Sequence, residues 1–115
     1  MNYWNYLVIL RPTRIEMLTV GPTDEEVSAV EDHFFYYLSL VKEGKMLMAG
    51  RTIGALSETI GIAIIHADCG EDAQDFIDRD PAVLHGVMSA EIQPYRLALF
   101  SENPHNGIYD DNGPN

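Results

Sequence analysis

An imidazole such as that of His33 can exchange a proton at neutral pH, and a carboxylate such as that of Asp80 can orient one. His33 sits among Asp32, Phe34, Phe35, Tyr36 and Tyr37, and Asp80 stands directly before Pro81. An imidazole takes or gives a proton near neutrality, and a carboxylate can fix its tautomer and stabilise the imidazolium. Each residue also has a plainer reading. From spacing alone His33 is read rather as a boundary histidine bonded to backbone, and Asp80 as a helix N-cap and nothing more. Arg51, Tyr37 and Ser57 are the candidate substrate-binding residues. The Arg51 guanidinium suits a carboxylate, although a surface ion pair is its alternative, and Tyr36 and Tyr37 also fit simple packing. His66, His85 and His105 lie in separate segments without metal-ligand spacing, and Cys69 is the sole cysteine. No disulfide, zinc site or other cofactor is expected from this set. There is no Gly-rich phosphate cradle, no Ser-His-Asp signature and no His-Glu-x-x-His pattern, which argues against hydrolase and nucleotide chemistry.

The elements that must position these residues begin with a strand over 3–10, rich in aromatic and β-branched residues and ending at Arg11-Pro12. Gly21-Pro22 marks a turn, and Thr23 with Glu26 forms a capping box at a helix start. That helix runs to Glu43, with Gly44 as its left-handed cap. At about 100° per residue, Val27, Val30, Phe34, Leu38 and Val41 form its expected core stripe, which places His33 on the flank, looking along the sheet edge or into a cleft. Strands follow over 45–51 and 59–66, apolar on both faces, joined by a loop in which Gly54 and Ser57 favour a turn. Asp68 and Glu71 give a weaker start signal for a helix over 70–79. Pro81 breaks that helix and opens a short turn with Asp80 as N-cap. A last strand is expected over 87–100, with Pro94 marking a bulge or an edge.

Strand, helix, strand, strand, helix, strand is the ferredoxin-like βαββαβ order, an α+β fold with both helices on one face of an antiparallel sheet. Residues 1–100 are read as this one domain, and 101–115 as a flexible tail or an arm on a neighbour. Strands apolar on both sides leave the other face uncovered, and a second copy is the simplest lid, giving a homodimeric α/β barrel. Lys and Arg number 7 against 18 Asp and Glu, a net charge of −11, so nucleic acid and anionic membrane are poor partners. The absence of an evident leader or a long apolar run makes a cytoplasmic location the default expectation.

Three segments in register carry a resemblance. They are 31–38 with His33, Tyr37 and Leu38, 47–51 with Ala49 and Gly50, and 80–87 with Asp80, Pro81 and Gly86. A helical His before an aromatic-Leu pair, an Ala-Gly turn and Asp-Pro ahead of a Gly resemble the YCII-related family, over about 4–99. The resemblance implies a dimeric α/β barrel and assigns His33 and Asp80 as a catalytic His-Asp pair. The family's frequent Gly-Pro is Gly50-Arg51 here, so Arg51 adds a cation at the rim. The implied activity is lyase- or isomerase-type proton transfer on a small cyclic, aromatic or carboxylated molecule, without a cofactor. Two other classes stay open. One is a non-catalytic dimer that binds a small ligand or a partner; the other is a haem protein ligated by His33, His66 or His85.

Overall fold

The structure is a computed structural model that describes residues 4–103, 107 and 108. β1 (Trp4–Pro12) alternates, with Tyr6, Val8 and Leu10 buried and Asn5, Leu7 and Ile9 on the opposite face. The strand continues through Arg11 and Pro12 because there it pairs only with the last strand; its pairing with β3 (Gly61–Ala67) ends at Leu10 opposite Gly61. A proline missing a ladder donor is tolerated where one side is already unpaired. A short helix without a sequence signal, α1 (Glu16–Thr19), follows and buries Met17 against Ala29 and Val87.

α2 (Asp24–Lys42) starts as expected. The Thr23 hydroxyl accepts from the Glu26 backbone N–H at 3.2 Å, and the Glu26 carboxylate accepts from the Thr23 N–H at 2.8 Å. Gly44, at φ 76°, takes the left-handed conformation just beyond the C-cap. The expected core stripe is wrong, however. Val27, Phe34 and Val41 are exposed, and the buried face instead carries Glu26, Ala29, Tyr37 and Leu40. The helix is therefore rolled by about a quarter turn from the apolar-stripe reading. His33 falls in the middle of the buried face, not on its flank. Phe34 and Phe35 pack edge to face on the outside, ring centroids 5.6 Å apart.

β2 (Met46–Arg51) and β3 form a hairpin, with a register shift between Met46 and Met48 and a 3₁₀ turn at Leu56–Glu58 in the connection. The apolar pattern of β2 suggests burial on both faces, but it is an edge strand and within one chain only Met46 is buried. α3 (Gly70–Asp78) is capped by Cys69 and not by Asp68, and no side chain closes that cap. α4 (Pro81–Leu84) has Asp80 as N-cap and Pro81 at its first position. β4 (Met88–Tyr95) is shorter than expected, and Pro94 sits in register opposite Tyr6 on an edge strand, without a bulge.

The sheet order is β2-β3-β1-β4, antiparallel throughout, which is the ferredoxin-like topology. α2 and α3 cover one face, where Tyr37, Leu40, Ala73 and Ile77 join Tyr6, Val8, Leu10, Ala63 and Ile65 in the core. Among the described residues no helix is long and apolar enough to cross a membrane. Most of the tail reading over 101–115 falls on residues outside the described ones.

Candidate functional site

The site forms where the buried face of α2 meets the start of α4. Pro81 disfavours helical geometry at Asp80, which is extended (φ −61°, ψ 122°) and turns its carboxylate back over the new helix. There Oδ1 accepts from the Ala82 N–H at 2.9 Å. Asp80 is completely buried, so its charge requires further donors. His33 supplies one: Nδ1 lies 2.8 Å from Oδ1 and 2.8 Å from Oδ2. An ionised carboxylate only accepts, so the shared hydrogen resides on Nδ1, and in the neutral ring the basic lone pair is left on Nε2. The His33 side chain keeps 14% exposure, while its Nδ1 faces the fully buried Asp80.

Two tyrosines complete the surroundings. The Tyr37 ring, one turn along α2, packs on the His33 ring with centroids 4.2 Å apart and planes at 49°. Burial, and then the Asp80 charge, hold its phenol protonated well above the ordinary range. The Tyr36 hydroxyl donates to the Phe76 carbonyl at 2.6 Å and ties α2 to α3; burial, followed by the Asp80 charge, pushes this phenol up as well. Tyr37 therefore lines the pair from within the core, whereas the sequence suggested a substrate contact.

Arg51 and Ser57 lie elsewhere. Arg51 ends β2, exposed and opposite Gly61, and Ser57 is exposed in the 3₁₀ turn. β2 is the edge strand farthest from β4, the strand against which α4 packs. Among the described residues no hydrogen bond or ion pair joins either side chain to His33 or Asp80. His66 faces the helix-free side of the sheet, its Nδ1 3.3 Å from Asn5 Oδ1. His85 is the C-cap of α4, and His105 lies outside the described residues. Among the described residues no three His, Cys, Asp or Glu side chains converge to hold a metal ion.

One polar node escaped the sequence reading. Arg14 reaches the nearly buried Glu26 with Nε at 3.1 Å and Nη2 at 2.6 Å, and Nη2 also donates to the Gly21 carbonyl at 3.0 Å. The Arg14 hydrogen bonds, and after them the Thr23 N–H, hold the Glu26 carboxyl down at about 2. The guanidinium rises in return. Arg14 and Glu26 border a cleft of about 510 Å³ between the start of α2 and His85 at the end of α4. The capping box was legible, but nothing in sequence linked Arg14 to it across 12 positions.

Among solved structures the chain is similar to 5-chloro-2-hydroxyhydroquinone dehydrochlorinase (TftG) from Burkholderia phenoliruptrix AC1100, in complex with 2,5-dihydroxybenzoquinone. The TM-score is 0.59 at 20% identity, over 81% of this chain and 95% of that one, which establishes a shared fold. No curated protein matches the sequence. The model of the YCII-related domain matches residues 6–96, and with four fifths of its length inside that match the chain belongs to the YCII-related family.

Proposed function

We propose that this protein is an acid-base enzyme in which His33 exchanges a proton with a small cyclic or aromatic substrate while Asp80 orients it. The observation that carries this reading is the contact of His33 Nδ1 with both oxygens of a fully buried carboxylate. Burying a charge is costly unless it is paired, and here the pairing fixes a tautomer that leaves Nε2 free to act as a base. In the forward step Nε2 takes a proton from a ring hydroxyl or from a carbon beside a carbonyl. The electron pair left behind moves into the ring, where it forms an enolate or expels a leaving group. The resulting imidazolium, stabilised by Asp80, returns the proton to product or to solvent.

The similarity to a dehydrochlorinase in complex with a dihydroxybenzoquinone supports a phenolic or quinonoid ring as the substrate class. A homodimer through the helix-free sheet face belongs to the same reading, because Leu7, Ile9, Ile62 and Met48 lie there without a helix above them. A ligand screen tests the proposal. Small hydroquinones, quinones and lactone acids are added to the protein, and the His33 ring resonances and melting temperature are followed. Binding that perturbs His33 and is lost in His33→Ala supports it. Ligands that bind without moving His33 argue for a binding role at another place.

A further inference from the structure

The Asp80 carboxylate is completely buried, yet its donors are few. Oδ1 has the Ala82 N–H, and the single Nδ1–H of His33 is divided between Oδ1 and Oδ2. Two carboxylate oxygens offer about four acceptor sites. Beside the pair stands a further donor. The Tyr37 hydroxyl is buried and, among the described residues, completes no hydrogen bond. Its ring stands on the imidazole that holds Asp80, with centroids 4.2 Å apart, and the carboxylate acts on the phenol both by its charge and as a hydrogen-bond acceptor. A buried hydroxyl without an acceptor costs about 1–3 kcal/mol, so a core that needed only an aromatic ring here would be better served by phenylalanine. The oxygen therefore calls for an explanation that packing does not give.

We propose that Tyr37 is a positioning residue for the His33–Asp80 pair, its ring walling the imidazole and its hydroxyl serving as a reserve donor to the Asp80 carboxylate. This rests on the reading of His33 as the acid-base group. The ring contact at 4.2 Å restricts rotation of the imidazole about χ2. The hydroxyl closes on Asp80 when His33 swings toward substrate and takes its Nδ1–H partly out of reach, so the carboxylate is never left bare. Tyr37 is protonated throughout the neutral range, and so is available as a donor and not as a base. The sequence proposed Tyr37 as a substrate contact; its burial argues for action through His33 instead.

Long-range ¹H–¹⁵N spectra of the imidazoles, with solvent exchange of the His33 Nδ1–H, test this in the full chain. Wild type is expected in the Nδ1–H form with a slowly exchanging proton. Tyr37→Phe keeps the ring and the fold, and is expected to speed that exchange about tenfold or more, corresponding to about 1.4 kcal/mol of lost protection. Tyr37→Leu, which also removes the wall, is expected to mix the two tautomers. A Tyr37→Phe protein that is more stable than wild type with an unchanged Nδ1–H signal overturns the inference and leaves the His-Asp reading standing. A wild type without the Nδ1–H form overturns both.

Discussion

His33 Nδ1 lies 2.8 Å from each oxygen of Asp80 although 47 positions separate the two residues in the chain. One carboxylate thereby holds two elements together, since it caps α4 through Ala82 and anchors the middle of α2 through His33. Stability and the proposed chemistry therefore share this residue.

Asp80→Ala removes the cap and leaves the buried His33 and Ala82 donors unpaired. A lost N-cap costs about 0.5–2 kcal/mol and an orphaned buried donor about 1–3 kcal/mol, so a loss of about 2–4 kcal/mol is expected in urea unfolding. Asp80→Asn keeps an acceptor for Ala82 and is expected to cost about 1 kcal/mol. Equal stability of the alanine variant and wild type would show that neither donor depends on Asp80.

Acid is expected to act through Glu26. Its folded-state value of about 2 lies below the ordinary 4.5, so the unfolded chain binds the proton more readily. The stabilisation is complete above about 4.5 and disappears as pH falls toward about 2. Glu26→Gln, measured by urea unfolding at several pH values, is expected to lie below wild type at neutral pH and to converge with it in that acid window. Parallel curves throughout would remove Arg14–Glu26 as a source of the pH dependence.

Alkali acts in the opposite sense through Tyr37 and Tyr36. Burial raises both phenols above the ordinary 10.0, so the folded state retains protons that the unfolded chain releases. Their contribution is full below that value and is lost as pH rises beyond it. Spectroscopic titration of the six tyrosines is expected to show a fraction that ionises only as the fold is lost. Six tyrosines titrating together near 10.0 with the fold intact would contradict the burial of these two.

The helix-free sheet face is expected to hold the dimer. Light scattering at micromolar concentration is expected to give twice the 12.9 kDa chain mass, and Ile62→Asp to shift it toward a single chain. Ile62 is the informative position because it is only partly buried within one chain and lies on the helix-free face, while the next residue, Ala63, points into the core. A monomeric wild type would end the barrel reading.

Much of this architecture was legible because it is written in local signals. Thr23 and Glu26 announced the start of α2, Gly44 its end, and Asp80 with Pro81 the start of α4. The facing of α2 was not legible. Val27, Phe34 and Val41 outweigh Ala29, His33 and Tyr37 on any hydrophobic wheel, yet the second set forms the inward face. Polar side chains on the buried face are admitted by partners far away in sequence, Arg14 for Glu26 and Asp80 for His33. Such pairings belong to tertiary structure, and a periodicity count treats their members as solvent-facing. The placement of Arg51 has the same origin, because which edge of the sheet a strand occupies depends on the strand order and not on the strand's own residues.

The reaction itself is expected to depend on His33 far more than on any other side chain. With Nδ1 committed to Asp80, the ring has one nitrogen left for substrate, so His33→Ala removes the proposed base of the pair. General acid-base transfer commonly contributes about 10²–10⁴-fold, and a loss of that size is expected for deuterium exchange or elimination on a hydroquinone or cyclic ketone that binds. Asp80→Asn keeps an acceptor for Nδ1–H but removes the charge that stabilises the imidazolium, so a smaller loss is expected. Because the two residues act as one unit, the double variant is expected to be little worse than His33→Ala alone. Losses that simply multiply would mean that Asp80 contributes to catalysis independently of His33, and full activity in His33→Ala would assign the chemistry to another group while leaving the geometry described here intact.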